Sequence, residues 1–371
     1  MVSTRPDLAP LLAWLRAGDP ATERIDFPTG TALPDGRLDL CKQDLGPDGA
    51  ALVAESLPPR GPVHHLLLGT DRLGDQGAAA VTARALATEV KTLYLGCNNI
   101  TTTGACRIAD HLRASPQTVQ ALWLKRNPLG GAAADLVRSA EQLRTLDLVQ
   151  TGLTPAALTA LVDAVVTSGR PPFQRLYLGG NPLGPDGARQ LARLVEAGAT
   201  AELYISAAGL GDSGAAVLAR ALGAAPYGRL RRLSLASSGL GPSGSAELVV
   251  AAAAAGVELL DLGRVKAAGI LGAPDNRLDA ESARTIGAAL SGTQHRLRHL
   301  VLANTGLRSR EAHLLLDAAR HAATPTRYVI GKGVATTVRR RLDELAATVP
   351  PPAVPADVAA VLSVHRTAGP S

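Results

Sequence analysis

Ten triplets of the form Leu-x-Leu or Leu-x-Ile return along this chain at nearly even intervals. They include Leu38-Asp39-Leu40, Leu93-Tyr94-Leu95, Leu176-Tyr177-Leu178 and Leu300-Val301-Leu302. Leu38, Leu66 and Leu93 stand 28 and 27 residues apart. Three residues after a triplet comes a polar side chain: Asn98, Asn127 and Asn181, or Gln43, Asp71, Thr151, Ser238 and Thr305. Ala208 is the weak point in that series. A unit repeating at this period cannot bury its apolar face alone, so neighbouring copies must stack.

Each part of the unit has a physical reason. Side chains alternate along a strand, so the two Leu point inward and the residue between them points out. Successive strands in one direction form a parallel sheet, and each needs a helical crossover. The Asn amide serves the bent main chain where the strand turns. Then comes Leu-Gly-x-x-Gly-Ala, as in Leu73-Gly74-Asp75-Gln76-Gly77-Ala78, followed by an Ala-rich helix. Small residues there permit close packing.

The pattern LxLxxN/CxL with a helix per unit resembles the leucine-rich repeat, specifically the long ribonuclease-inhibitor type. The resemblance covers residues 38 to 330. It implies an α/β solenoid, horseshoe-shaped, of about 10–11 repeats, with a parallel concave sheet and convex helices. It further implies protein binding on the concave face. Inhibition of ribonucleases is not carried over, because that inhibitor is acidic and Cys-rich. This chain is basic, with a formal charge of +6 and three cysteines.

Four regions are expected: an N-terminal cap over 1–36, repeats over 37–332, a capping helix over 333–348, and a Pro-rich linker, short helix and tail over 349–371. The cap carries Leu8, Leu11, Leu12 and Leu15 on one helix face, with Ile25-Asp26-Phe27 as an edge segment. Val334, Val338, Leu342 and Leu345 line the capping helix. The tail is expected either to dock back on the solenoid or to engage another molecule, with docking the simpler reading. The step from Leu260 to Leu300 is 40 residues, which marks 264–275 as an insertion and displaces the turn Asn to Asn276. Insertions of this kind leave a solenoid beside its binding rim.

Composition narrows the function. Hydrophobic residues are 46% and mean hydropathy is +0.11, a globular composition. No apolar run is long enough for a membrane helix, and the N-terminus lacks a secretory pattern, so a cytoplasmic location is expected. An odd, sparse set of cysteines argues against disulfides. The basic residues are scattered, which sets nucleic acid aside. Abundant Ala and Arg with little Lys suggest a GC-rich bacterial source. No His, Cys or Asp spacing marks a metal site, and no cofactor is expected. Gly211-Asp212-Ser213-Gly214 looks like a serine-protease nucleophile turn. It falls in register with Gly184-Pro185-Asp186-Gly187, however, and is read as a repeat turn.

Aromatic residues are only 2% of the chain. Even so, the outward residue of the triplet is Tyr94, Trp123, Tyr177 and Tyr204 in four of the five middle repeats, and Asp147 in the fifth. Lys125, Arg126 and Arg175 are expected on the same surface. Tyr, Trp and Arg are the residues that anchor interfaces. The expected site is therefore Tyr94, Trp123, Lys125, Arg126, Asp147, Arg175, Tyr177 and Tyr204, a concave patch that binds a protein or peptide with acidic groups. Trp123 and Tyr177 act as anchors, and the cations pair with the partner. The alternative is an enzyme, or an enzyme accessory, working on a peptide or small molecule in the same groove.

Overall fold

The computed structural model describes residues 7–115 and 118–364. The first six residues of the expected cap and the last seven of the tail lie outside them. The chain is a leucine-rich repeat solenoid made of two compact units. One comprises residues up to Leu153 together with those from Ala353, and the other is Thr154–Pro352.

In the first unit the strands are β1 (Ile25–Asp26), β2 (Thr31–Ala32), β3 (Arg37–Asp39), β4 (His65–Leu67), β5 (Thr92–Tyr94), β6 (Ala121–Trp123) and β7 (Thr145–Asp147). β1 to β3 pair antiparallel and close the N-terminal edge. From β3 onward all pairs are parallel, with Leu38, Leu66, Leu93, Leu122 and Leu146 in one register. Asp39, Leu67, Tyr94, Trp123 and Asp147 form a second column on the opposite face.

The second unit holds β8 (Phe173–Tyr177), β9 (Thr200–Tyr204), β10 (Arg232–Ser234), β11 (Leu259–Asp261), β12 (His299–Val301) and β13 (Arg327–Val329). All its pairs are parallel. The outward column reads Tyr177, Tyr204, Ser234, Asp261, Val301, Val329. Helices such as Gly74–Ala85 and Gly211–Ala224 return the chain between strands, and they bury the inward Leu residues completely. Among the described residues, no helix of the repeats lies on the other face of either unit's strands.

The turn into each helix explains its glycines. Gly211 has φ of 60°, a left-handed backbone that L side chains adopt at a cost. At Gly214 an added Cβ would sit 2.8 Å from the Leu210 Cβ and 3.2 Å from that of Ala188, so the helix could not close on its neighbour. Asp212 lies in the first helical turn, and its Oδ1 accepts the Gly241 amide at 2.6 Å. The apparent nucleophile motif is thus a repeat turn tied to the next repeat.

Asn residues run along the strand ends as expected. Asn127 Oδ1 accepts the amides of Asn98 (2.8 Å) and Ile100 (3.1 Å), and its Nδ2 donates to Leu95 and Leu124 carbonyls at 2.9 Å each. Asn276 does the same across the insertion, with Oδ1 accepting Ser238 and Leu240 amides and Nδ2 donating to Leu235 and Leu262 carbonyls. The inserted residues form one helical turn, Ala268–Leu271, with Ile270 92% exposed.

Helix Thr336–Leu345 follows β13. Val334, Val338 and Leu342 are buried as expected, but Leu345 is exposed. The helix ends at Leu345, and Ala346, four residues after Leu342, takes the buried position instead. Arg327 donates to the carbonyls of Ala346 (3.1 Å) and Val349 (2.7 Å), which ties this end to the last strand.

Candidate functional site

The helix-free face of the first unit is already occupied. The chain returns there through Pro355 and the short helix Ala356–Ala359. Thr145 Oγ1 on β7 donates to Asp357 Oδ2 at 2.8 Å. On β3, Asp39 accepts from Ser363 Oγ (3.1 Å) and from the Val364 amide (2.6 Å). The Arg37 guanidinium, on the same strand, donates to the Leu362 carbonyl. Strands lie about 4.8 Å apart, so these anchors are separated by roughly 19 Å across the sheet.

Held at both ends, residues 357–364 cross β4, β5 and β6. The outward column between the anchors is buried accordingly: Leu67 is 0% exposed, Tyr94 3% and Trp123 6%. This corrects the sequence expectation of an open aromatic groove in these repeats. Tyr94 and Trp123 are in ring contact, with centroids 6.4 Å apart, and Lys125 Nζ lies 5.6 Å from the Tyr94 centroid. That distance suits a cation over a ring face. Asp147 is also buried, and its Oδ1 accepts the Val149 amide at 2.9 Å. It closes the end of its own strand, as Asp39 does through Cys41 and Asp261 through Gly263. Arg126 stands apart from this group. It adopts φ of 56° in the turn beyond the strand, is exposed, and donates to Gln150 Oε1 in the next repeat at 2.9 Å.

The second unit presents a different surface. Tyr177 and Tyr204 stack, with centroids 4.5 Å apart and planes within 11°, and both are half-buried. Two residues earlier on each strand runs a second outward row, because the period is two. There Arg175 pairs with Glu202 (Nε to Oε2, 3.0 Å), with side chains only 8% and 4% exposed. Arg232 approaches Glu202 Oε1 from the other side at 3.7 Å. The Tyr204 hydroxyl donates to Glu202 Oε2 at 2.8 Å. Arg175 was expected to pair with a partner's acid, but it pairs with an acid of this chain. Burial first, and the Glu202 charge second, push the Tyr204 phenol up to about 12. Further along the face, Ser206 and Ser234 hydroxyls are 2.8 Å apart and Ser234 donates to Asp261 Oδ2 at 3.1 Å. Burial lowers His299, with Arg327, Arg232 and Arg298 adding to the effect.

Tyr204→Phe is expected to cost about 1–2 kcal/mol, the worth of a hydrogen bond to a buried charge, while the stacked pair stays in place. The phenol ionises more readily in the unfolded chain, so the stability it contributes below pH 10 is lost as pH rises toward 12. Urea titrations of both proteins at pH 8 and pH 11 measure this. An equal midpoint at pH 8 would leave the Tyr204–Glu202 bond without energetic weight.

Sequence reasoning placed Tyr177, Tyr204 and Arg175 on one face and missed Glu202, which the row two residues before the triplet's centre contains. It also missed Arg37 and Thr145, in the same row. Among the described residues no group of three or more His, Cys, Asp or Glu could hold a metal ion, and no helix is long and apolar enough to cross a membrane.

A leucine-rich repeat family model matches residues 88–109, which hold β5 and Asn98. No curated protein matches the sequence. Among solved structures, the chain is similar to the leiomodin-1 actin-binding site 2. Identity is 17%, over 43% of this chain and 88% of that one, with a TM-score of 0.35. The leucine-rich repeat-containing protein LegL7 of Legionella pneumophila is 14% identical over 77% of this chain and 82% of its own, with a TM-score of 0.42. The tropomodulin C-terminal domain of Caenorhabditis elegans is 14% identical over 38% and 87%, with a TM-score of 0.30.

Proposed function

We propose that this chain is a peptide- or protein-binding scaffold that works through the helix-free faces of its sheets. We assign its repeats to the ribonuclease-inhibitor type, on their 27- and 28-residue steps and full helices. One observation carries the functional reading: the first unit holds a peptide segment on this face, the chain's own residues 357–364. The face meets that segment as a peptide receptor does. Asp39 takes a main-chain amide, Arg37 gives to a main-chain carbonyl, and Thr145 reads a carboxylate.

Tyr94, Trp123 and Lys125 form the apolar floor and its charged margin in this unit, with Asp147 bracing the strand end. Arg126 lies at the rim. In the second unit the stacked Tyr177 and Tyr204 offer a flat aromatic surface. Arg175 serves there by holding Glu202 and the Tyr204 hydroxyl in position. Rigid aromatic surface fixed by neighbours is the kind that carries interface energy.

The reading is tested by selecting peptides from a random display library on the intact chain and measuring their affinities for variants. Selected peptides are expected to weaken at least about tenfold, 1.4 kcal/mol, on a chain carrying Tyr177→Ala with Asp39→Ala. They are expected to be unaffected by Arg107→Ala on the exposed side of helix Thr102–Ala114. Peptides that ignore the first variant or respond to the second would remove the helix-free faces from consideration.

A further inference from the structure

The segment on the first unit's face is bound as a ligand would be, and that has a consequence for what else can bind there. Its polar anchors include Asp357 on Thr145, the Leu362 carbonyl on Arg37, and Ser363 with the Val364 amide on Asp39. Its buried apolar surface is small. Ala360 and Val361 are buried, while Val354 is 63% exposed and Leu362 57%. Two of the anchors read main-chain atoms and accept any residue at those places. The selective features are a carboxylate and, four residues later, a buried aliphatic side chain.

We propose that this face takes, in trans, a peptide with an acidic residue four places before an aliphatic one and a free main-chain amide three places beyond. The chain's own residues 357–364 are the internal copy that keeps the face closed until displaced. The inference rests on the peptide-binding reading above and names its ligand and its regulation.

The energetics suit displacement. A tethered segment competes with an effective concentration of about millimolar. The segment contributes these hydrogen bonds, each about 1 kcal/mol net, and covers Tyr94 and Trp123, so a peptide in trans displaces it by making the same contacts and adding to them. The preceding Pro351 and Pro352 are exposed. Release uncovers Tyr94 and Trp123 with Lys125 beside them, a cluster that attracts a partner once bare.

Ser363 gives the means to open the face without touching its floor. The Ser363 hydroxyl lies 3.1 Å from an Asp39 oxygen, so Ser363→Glu sets a carboxylate against a carboxylate. The probe is a fluorescein-labelled peptide with the sequence of residues 353–364, read by anisotropy on the full-length chain. Ser363→Glu is expected to bind it at least about tenfold more tightly than wild type does. Adding Asp39→Ala, or replacing the aspartate of the probe by alanine, is expected to reverse the gain.

Equal binding by wild type and Ser363→Glu would overturn the closure while leaving the face a peptide receptor. Binding by neither would overturn both readings. If Ser363→Glu loses its folded circular-dichroism signal, hydrogen exchange on the wild-type chain decides. The amides of 360–364 are expected to exchange far faster than those of helix Gly74–Ala85, by local opening. Equally slow exchange would make the segment a permanent part of the fold and overturn the proposal.

Discussion

Glu202→Ala is expected to lower stability by about 3–5 kcal/mol, the cost of removing one partner from a buried ion pair. The carboxylate lies between two guanidinium groups, Arg175 at 3.0 Å and Arg232 at 3.7 Å, and it accepts the Tyr204 hydroxyl. Without it, Arg175 keeps a charge in a site where its side chain is 8% exposed. For a unit of this size the melting temperature falls by about 2–4 °C per kcal/mol, hence by roughly 10 °C. Glu202→Leu combined with Arg175→Leu should recover much of the loss, because the desolvation penalty disappears with the charges. Thermal and urea unfolding followed by circular dichroism test both. A single-variant loss under about 1 kcal/mol would mean that water reaches Arg175 and that the pair contributes little.

Asp71→Asn is expected to act in the opposite direction. Asp71 stands where Asn98 and Asn127 stand in later repeats, fully buried. Burial pushes its carboxyl from 3.8 up to about 7, against main-chain amides of Gln43, Asp44 and Leu45 that pull it down. Gln43 donates to its Oδ1 at 2.7 Å. The folded chain therefore holds a proton that the unfolded chain has released. Stability is complete below about pH 4 and is lost as pH rises from there to about 7. The loss above neutrality is about 4 kcal/mol at most. An asparagine carries no charge and, as Asn98 does with the Leu68 carbonyl at 2.6 Å, can donate to the strand beside it. The counterpart of Leu68 in that register is Leu40. The variant is expected to be about 2–4 kcal/mol more stable than wild type at pH 8, converging with it near pH 4. Urea midpoints that move in parallel between pH 4.5 and pH 8 would sink this account.

The repeat was legible because it obeys local rules that each copy restates. A Leu at alternate positions fixes which way the strand faces. The turn Asn reports where the strand ends, and Leu-Gly-x-x-Gly-Ala reports where the helix begins. Even the displaced Asn276 could be placed from sequence. The outward column was read correctly as a row, but its exposure was not. The cover over Tyr94 and Trp123 comes from residues more than 230 positions away, whose docking depends on a carboxylate at Asp39 and a hydroxyl at Thr145. No local pattern announces such a contact. Glu202 was legible in principle: a strand with outward residues at its centre has them two places earlier as well. Reading only the Leu-x-Leu core found Arg175 but hid Glu202 beside it, and hid Arg37 and Thr145 at the corresponding strand position in the first unit. The division at Leu153 is likewise unmarked in the repeat itself.

The hydrogen bonds of Asn276 carry a consequence for how such an array changes over time. The amide rejoins Leu235 and Leu262 although 13 residues separate it from the strand end, where Asn127 needs only two. The register of the stack is thus set by one side chain that finds its carbonyls, and the length of chain before it is free to vary. A gene encoding this fold can accept foreign sequence at that point and still specify the same stack. The exposed turn around Ile270 is accordingly a place for grafting an epitope or a reporter, and the natural entry for whatever new specificity the array acquires.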